Sequence, residues 1–467
     1  MFSVIGFSVL AAVMLGCMLF LWKRPGEGIG LPLVAILCFA YLYLLLPLQL
    51  IWSGTMEAYL DDWQVGKAVV AAAVMLACFV WGWRKGTSRI RRTPAAPTSW
   101  NPVRVWNYGF AGATVGFALL TAFVLFNGGL SHAFGGMHGK GMEYDSTTAY
   151  WYLSPYWMVS GLGMMVIGDR RQRPWRRMGT VAFVVILYAY SLLTSSRGFT
   201  FATTAVILVG YALARRTKPT IVQMVPFWAA AGVAVLLVLG YRQVLHLGED
   251  RRGAGGTPTL IEALSKHWET DDRSASRRIA SSEFIFHAAT LDTVDELKKY
   301  DLAVHWFYIC TLHLIPRVWW PAKPKKFDSP GITNDDISAV TGIRIAFGSA
   351  PGVVADIYTN FGPVSPLFFF LFGMAAGKLY EGAQFRGDPS IACAYAMLCA
   401  LSLNAFAQGF STLLVFFPYS LAPAFFYHLH TRLLSPRKRR LTLGKGPRFT
   451  WRDGQPEGSA VMARQKV

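Results

Sequence analysis

The sequence predicts an all-α, polytopic integral membrane protein, and three observations carry that expectation. Of the 467 residues, 53% are hydrophobic and only 15% charged, a balance too apolar for ordinary soluble domains. About eleven stretches of roughly 17 to 25 apolar residues recur, each long enough as a helix to cross about 30 Å of hydrocarbon. The connections between them alternate in charge, with Lys and Arg concentrated in every second one.

In chain order the spans are expected at residues 2–22, 31–52, 65–83, 105–126, 150–168, 178–194, 199–214, 221–241, 354–378, 391–406 and 412–429. The first begins MFSVIGFSVL, without the basic start of a secretory signal, so it is expected to be retained. Basic connections follow the first, third, fifth and seventh spans (KRPGEG, RKGTSRIRR, DRRQRPWRR, RRTK), and the tail begins TRLLSPRKRR. By the positive-inside rule these are cytoplasmic. The N-terminus is then outside and the C-terminus inside, with residues 242–351 facing outward. The chain divides into spans 1 to 8 (1–241), a polar loop with short interfacial helices (242–351), spans 9 to 11 (352–430), and a basic tail (431–467) expected to be disordered.

The net charge of +19 invites a nucleic-acid reading, but the basic residues sit mostly in short loops and report topology instead. No nucleic-acid partner is expected. The six cysteines offer no CxxC spacing, so neither a disulfide framework nor a metal site is expected. Cys310, the one nearest the polar segment, reads as a buried, idle thiol. Walker, HExxH, GxSxG and Rossmann patterns have no suitable context, which leaves nucleotide hydrolysis, zinc proteolysis and hydrolase chemistry without support.

The polar segment balances its acidic and basic residues, so its charge must act locally. Thr259 with Glu262 and Thr293 with Glu296 fit capping boxes, and Asp301 is placed to cap a helix running toward Ile315. Residues 303–315, AVHWFYICTLHLI, are too short to span and read as interfacial or re-entrant. Then TLHLIPRVWWPAKP joins a Trp pair and three prolines to Arg317 and Lys323. Arg offers a planar fork suited to phosphate and Lys a point charge, so a phosphate-bearing lipid is the favoured ligand. Arg197, within TSSRG, and Arg242, ending a span, belong to the same outer face. Each is also placed as an ordinary interfacial anchor. Arg277 and Arg278 precede a helix opened by Ser281 or Ser282. For proton transfer the candidates are Glu283 and His287, four apart on one helical face, His313, and Asp356 where the chain re-enters the bilayer. Asp61 and Asp62 form an acidic pair in the first outward loop, readable as a metal site or as a solvated acidic loop.

The run IPRVWWPAKP at 315–324, the following GSAPGVVADIYTNFGPVSP at 348–366 and the preceding TSSRG at 194–198 together resemble the bacterial O-antigen polymerase (Wzy-type) family of oligosaccharide repeat-unit polymerases. The likeness covers roughly the second half of the chain. It implies a GT-C-like fold and a glycosyltransferase that moves a growing glycan from undecaprenyl diphosphate to an incoming lipid-linked repeat unit at the periplasmic face of the inner membrane. Under that resemblance Arg197, Arg242, Arg278, Arg317 and Lys323 would stabilise the leaving diphosphate, while Glu283 or His313 assists deprotonation of the acceptor hydroxyl. His287 and Asp356 are additional candidates. With cations carrying that charge, neither metal nor other cofactor is expected. Besides the bilayer and lipid-linked oligosaccharides, a flippase and a chain-length regulator are implied partners. An O-antigen ligase shares the donor and remains an alternative. A transporter of lipid-linked sugar is a lesser one, since it would place ionisable residues near span midpoints.

Overall fold

A computed structural model describes residues 1–22, 30–88, 101–127, 151–169, 174–194, 197–215, 282–311, 315, 320, 322, 330–343, 345, 349–385 and 388–434. Among these the chain forms helices and no strands. In order they are α1 (Phe2–Trp22), α2 (Leu31–Ala40), a π-turn (Tyr41–Leu45), α3 (Leu46–Trp52), α4 (Asp62–Gly86), α5 (Pro102–Phe126), α6 (Pro155–Ile167), α7 (Pro174–Leu193) and α8 (Arg197–Arg215). After the polar segment come α9 (Glu283–Leu297), α10 (Val304–Cys310), α11 (Asn334–Thr341), α12 (Gly352–Phe361), α13 (Ser365–Phe385), α14 (Pro389–Gln408), α15 (Phe410–Ser420) and α16 (Ala422–Leu434). Seven helical segments of the described residues are long and apolar enough to cross a membrane, or eight if α15 and α16 count as one bent span. The protein is a multi-pass α-helical membrane protein. The expected eighth span, 221–241, and the expected capping box of Thr259 with Glu262 lie outside the described residues.

Local chemistry starts these helices where they start. The Asn101 side chain accepts from the Val103 and Arg104 N–H groups at 3.0 and 3.4 Å, with Pro102 at the first helical position. Asp388 does the same for α14, accepting from Ser390 at 2.9 Å with Pro389 behind it. Both combine a capping oxygen with a proline that has no N–H to leave unpaired. The last expected span, 412–429, is broken instead: α15 and α16 meet at 44°, and Pro423 in the first turn of α16 supplies a cause, because it has no N–H to donate to the Tyr419 carbonyl across the break.

The bundle is held by close crossings and by an aromatic centre. On α4, Gly82 and Gly86 meet Gly373 and Gly377 of α13, with Gly82 directly against the Phe370 carbonyl and Gly373 against that of Phe79. Phe39, Phe79, Phe369 and Phe406 interlock from α2, α4, α13 and α14, with ring centroids 5.8 to 6.4 Å apart across the Phe39–Phe406, Phe79–Phe406 and Phe39–Phe369 pairs. The Leu31 N–H, at the start of α2, donates to the Tyr395 hydroxyl near the start of α14 at 3.0 Å. Both helices therefore run the same way, and α14 finishes toward the end of the bundle where α3 closes and α4 begins at Asp62.

Three local expectations are corrected. Thr293 does not open a helix with Glu296; it lies inside α9 and its hydroxyl donates back to the Ala289 carbonyl at 2.8 Å. The capping box is at Thr333 and Asp336 on α11 instead, with the Thr333 N–H donating to the Asp336 carboxylate at 2.8 Å. Cys310 is exposed, not buried. It falls on the outer face of α10 with Phe307, three residues earlier, while Trp306 and Ile309 turn inward. Asp301 does cap that helix, accepting from the His305 N–H at 3.0 Å, but the helix stops at Cys310.

Candidate functional site

The described candidates gather around the last turn of α14. Ser282, in extended conformation, precedes α9, and Glu283 opens it. A carboxylate there is favoured by the free N–H groups and the helix dipole. Glu283 is partly exposed, whereas His287, one turn further on the same face, is 1% exposed. The imidazole lies beside the carbonyls of Ala68 and Pro351 without reaching hydrogen-bond geometry to either. Burial pushes it down to about 4, outweighing the opposing pull of those carbonyls, so His287 is neutral at pH 7.

Across from His287 stands Tyr43, with ring centroids 4.9 Å apart and planes at 63°. Tyr43 sits on the π-turn, and Pro47 explains why that turn exists: having no N–H, it cannot donate to the Tyr43 carbonyl four residues earlier, and the α-helical ladder is interrupted there. The Val354 N–H of α12 turns toward the Tyr43 hydroxyl without completing a hydrogen bond, and Glu283 acts on that hydroxyl electrostatically. Beyond it begins α12, where Gly352 takes φ +75°, and a Cβ built there would stand 3.0 Å from the Tyr43 oxygen. Only glycine meets both demands.

A clasp on α4 and α12 fixes α9. Lys67 Nζ lies 3.2 Å from Asp292 Oδ1 and 2.7 Å from Asp295 Oδ2. The Gln64 amide donates to Asp292 at 2.8 Å and the Tyr358 hydroxyl to Asp295 at 2.6 Å. Burial alone raises the Asp295 carboxyl, but Lys67 and Tyr358 outweigh it and hold the group below its ordinary value.

Three of the acidic candidates make contacts that hold helices in place. The Ser411 N–H donates to Asp356 Oδ2 at 3.0 Å, and the Phe410 N–H also turns toward that carboxylate. Asp356 on α12 thus caps α15 across the break at Gly409, whose φ is +126°. Asp61 is the N-cap of α4, closing a box with Gln64, and Asp62 accepts from the Phe2 and Ser3 N–H groups at 2.7 and 3.2 Å. Asp62 ties α1 to α4, and Asp61 starts α4.

Arg197 is the first residue of α8, and its neighbour Gly198 packs directly on the Asn404 amide of α14. The first turn of α8 and the start of α12, where a Cβ built on Gly352 would stand 3.7 and 3.8 Å from the Phe406 and Ala407 carbonyls, therefore meet the same last turn of α14. Arg197, Glu283, His287 and Asp356 are brought to one end of the bundle. Arg242, Arg277, Arg278, His313, Arg317 and Lys323 lie outside the described residues. Sequence reasoning missed Tyr43, Lys67 and Asn404. Pro47 within an apolar span was the available signal for the first; a lone Lys near the start of a span was the signal for the second. No family model, curated relative or solved structure matches this chain.

Proposed function

We propose that this protein is an integral membrane glycosyltransferase that joins undecaprenyl-diphosphate-linked oligosaccharide repeat units into a surface polysaccharide, working at the Asp62 end of the bundle. In this reading the chain has eleven spans in a GT-C-like arrangement, its N-terminus and polar segment are periplasmic, and it resides in the bacterial inner membrane. The observation that supports it is the meeting, on one turn of α14, of the helix start bearing Arg197 with the start of α12, the helix on which Glu283-bearing α9 packs. Arg197 can face a leaving phosphate and Glu283 an acceptor hydroxyl.

During transfer, negative charge builds on the departing diphosphate while the acceptor oxygen loses its proton. Fixed cations aimed at that charge need no reorganisation as it forms. Arg197, Arg242, Arg278, Arg317 and Lys323 are assigned that task, and Glu283 or His313 receives the proton.

The test uses the full chain in nanodiscs with lipid-linked repeat units as both donor and acceptor. Wild-type protein yields a ladder of lengthening glycans. Glu283→Gln and Arg317→Lys are each expected to slow extension on the order of 100-fold, the scale of one lost transition-state contact, with thermal stability preserved. Full activity in both variants defeats the reading, and transfer to lipid A core without a ladder replaces polymerase by ligase. Alkaline phosphatase fused at Gly255 should be active and at the C-terminus silent; the reverse puts the site on the wrong side.

A further inference from the structure

Asp388 and Arg104 both act electrostatically on Tyr427, which places the start of α5 beside the start of α14, at the end of the bundle opposite Asp62. There Arg176 is held between two indole rings. Its guanidinium carbon lies 5.0 Å from the Trp175 ring centroid and 5.6 Å from that of Trp106, and the two rings meet nearly perpendicular, 5.2 Å apart. Trp106 belongs to α5 and is buried; Trp175 precedes Arg176 on the first turn of α7 and is exposed. The Trp106 indole N–H donates to the Thr180 hydroxyl at 3.3 Å, and a Cβ on Gly179 would stand 3.3 Å from the same ring. The clamp is therefore built jointly by α5 and α7.

Its charge has no counterpart in the protein. Among the described residues no carboxylate forms an ion pair with Arg176, and its Nε is buried without a hydrogen-bond partner while the side chain as a whole is partly exposed. The run DRRQRPWRR around it supplies one acid, Asp169, and that carboxylate acts on Arg177 and Arg215 instead. Arg176 and Arg177 also stand in the first turn of α7, where the helix dipole is itself positive and opposes them. A guanidinium steadied over indole rings keeps its planar fork of donors for an oxyanion.

We propose that Arg176, clamped by Trp106 and Trp175, binds the phosphate of an anionic phospholipid in the leaflet at this end of the bundle. This site does not rest on the function proposed above. The surface beside the clamp selects a lipid over a soluble anion. Met178, Val181 and Val185 continue from Trp175 as an exposed apolar face of α7, and Phe110, stacked on Trp106 at 5.1 Å and exposed, continues the α5 wall. Acyl chains can lie along both helices once the phosphate is seated; a soluble anion uses none of that surface. A zwitterionic headgroup would bring an ammonium toward the exposed Arg177, so a net negative headgroup is preferred.

The experiment uses the full chain in a nonionic detergent and three probes: phosphatidylglycerol, phosphatidylcholine with the same acyl chains, and inorganic phosphate. Native mass spectrometry counts bound lipid, and thermal melting follows stabilisation. Wild-type protein should hold one phosphatidylglycerol about tenfold or more tighter than phosphatidylcholine and melt higher in its presence. Arg176→Gln should lose that preference yet melt with wild type when no lipid is added. Arg176→Lys keeps the charge without the fork and should recover only part of the preference, so it carries the comparison if Arg176→Gln does not fold. Arg84 is the matched control, an arginine at the same end of the bundle that lies 5.8 Å from a single ring, that of Phe20; Arg84→Gln should keep the preference. Equal affinity of wild type for the two lipids overturns the site, as does full preference in Arg176→Lys. An equal loss in Arg84→Gln replaces the site by diffuse attraction to a basic surface. If inorganic phosphate at the same concentration stabilises wild type as much and displaces phosphatidylglycerol, the ligand is a free anion and the lipid assignment falls.

Discussion

Tyr358 and Asp295 are joined by a 2.6 Å hydrogen bond that fastens α12 to α9, and Lys67 holds the opposite carboxylate oxygen at 2.7 Å. One lysine thus neutralises part of a pair, since Asp292 is also within 3.2 Å. Removing the lysine should therefore hurt more than removing one acid. Lys67→Met leaves two carboxylates facing each other in a partly buried site, at a cost of roughly 2–4 kcal/mol, whereas Asp295→Asn keeps the Tyr358 contact and should cost about 1 kcal/mol. Melting of the detergent-solubilised variants, followed by Trp fluorescence, checks the order. Because the folded Asp295 carboxyl lies below its ordinary value, its contribution is present above about pH 4 and drains away as pH falls further.

His287 imposes a second, separate pH dependence. Its folded value of about 4 lies below the unfolded value of about 6.5, so the unfolded chain binds more protons anywhere between them. Stability is complete above that window and falls as pH drops through it, by on the order of 1 kcal/mol near pH 5.5 and about 3 kcal/mol near pH 4. In His287→Phe, which stays neutral at every pH, the loss between neutrality and pH 5 should be largely absent. An unchanged slope in that variant would mean the imidazole is solvated in the native state.

Gly82 and Gly373 make the crossing of α4 and α13 so tight that a methyl group on either strikes the backbone of the facing helix. Backbone cannot rotate away as a side chain can. Gly82→Ala and Gly373→Ala should each cost about 1–3 kcal/mol by overpacking, and Gly82→Leu should prevent a monodisperse preparation. Gly16, where an added methyl group would meet nothing within 4 Å, is the matched control, and Gly16→Ala should melt with wild type.

That crossing shows where the sequence was legible and where it was not. Hydropathy located α1 to the residue, because a lipid-facing helix announces itself by composition. The spacing Gly82-x-x-x-Gly86 against Gly373-x-x-x-Gly377 was equally open to inspection, yet nothing local says that these two segments meet. Among the site residues, Glu283 and His287 could be paired because helical periodicity puts them on one face. Tyr43 could not, since its nearness to His287 depends on how the π-turn after α2 packs against α9, half a chain away. The capping contact of Asp356 was hidden for the same reason: the N–H groups it satisfies belong to a helix beginning at Phe410.

The sharpest prediction concerns that aspartate. Asp356 Oδ2 accepts from the Ser411 N–H at 3.0 Å, and a Cβ on Gly409 would stand 2.8 Å from the same oxygen. The carboxylate is thus committed to the first turn of α15, whose donors have no partner within their own helix. An amide oxygen can accept the same bonds, so Asp356→Asn should melt within about 1 kcal/mol of wild type, while Asp356→Ala, which strands the donors, should lose roughly 1–3 kcal/mol. A proton-transfer role predicts a different split, because an amide cannot take a proton from the acceptor hydroxyl. If Asp356 caps and does nothing more, Asp356→Asn extends glycans at a rate close to wild type while Glu283→Gln does not. A well-folded Asp356→Asn protein with extension reduced about 100-fold, the scale of a lost catalytic group, would return this residue to the chemistry and make its contact with Ser411 the way the base is held.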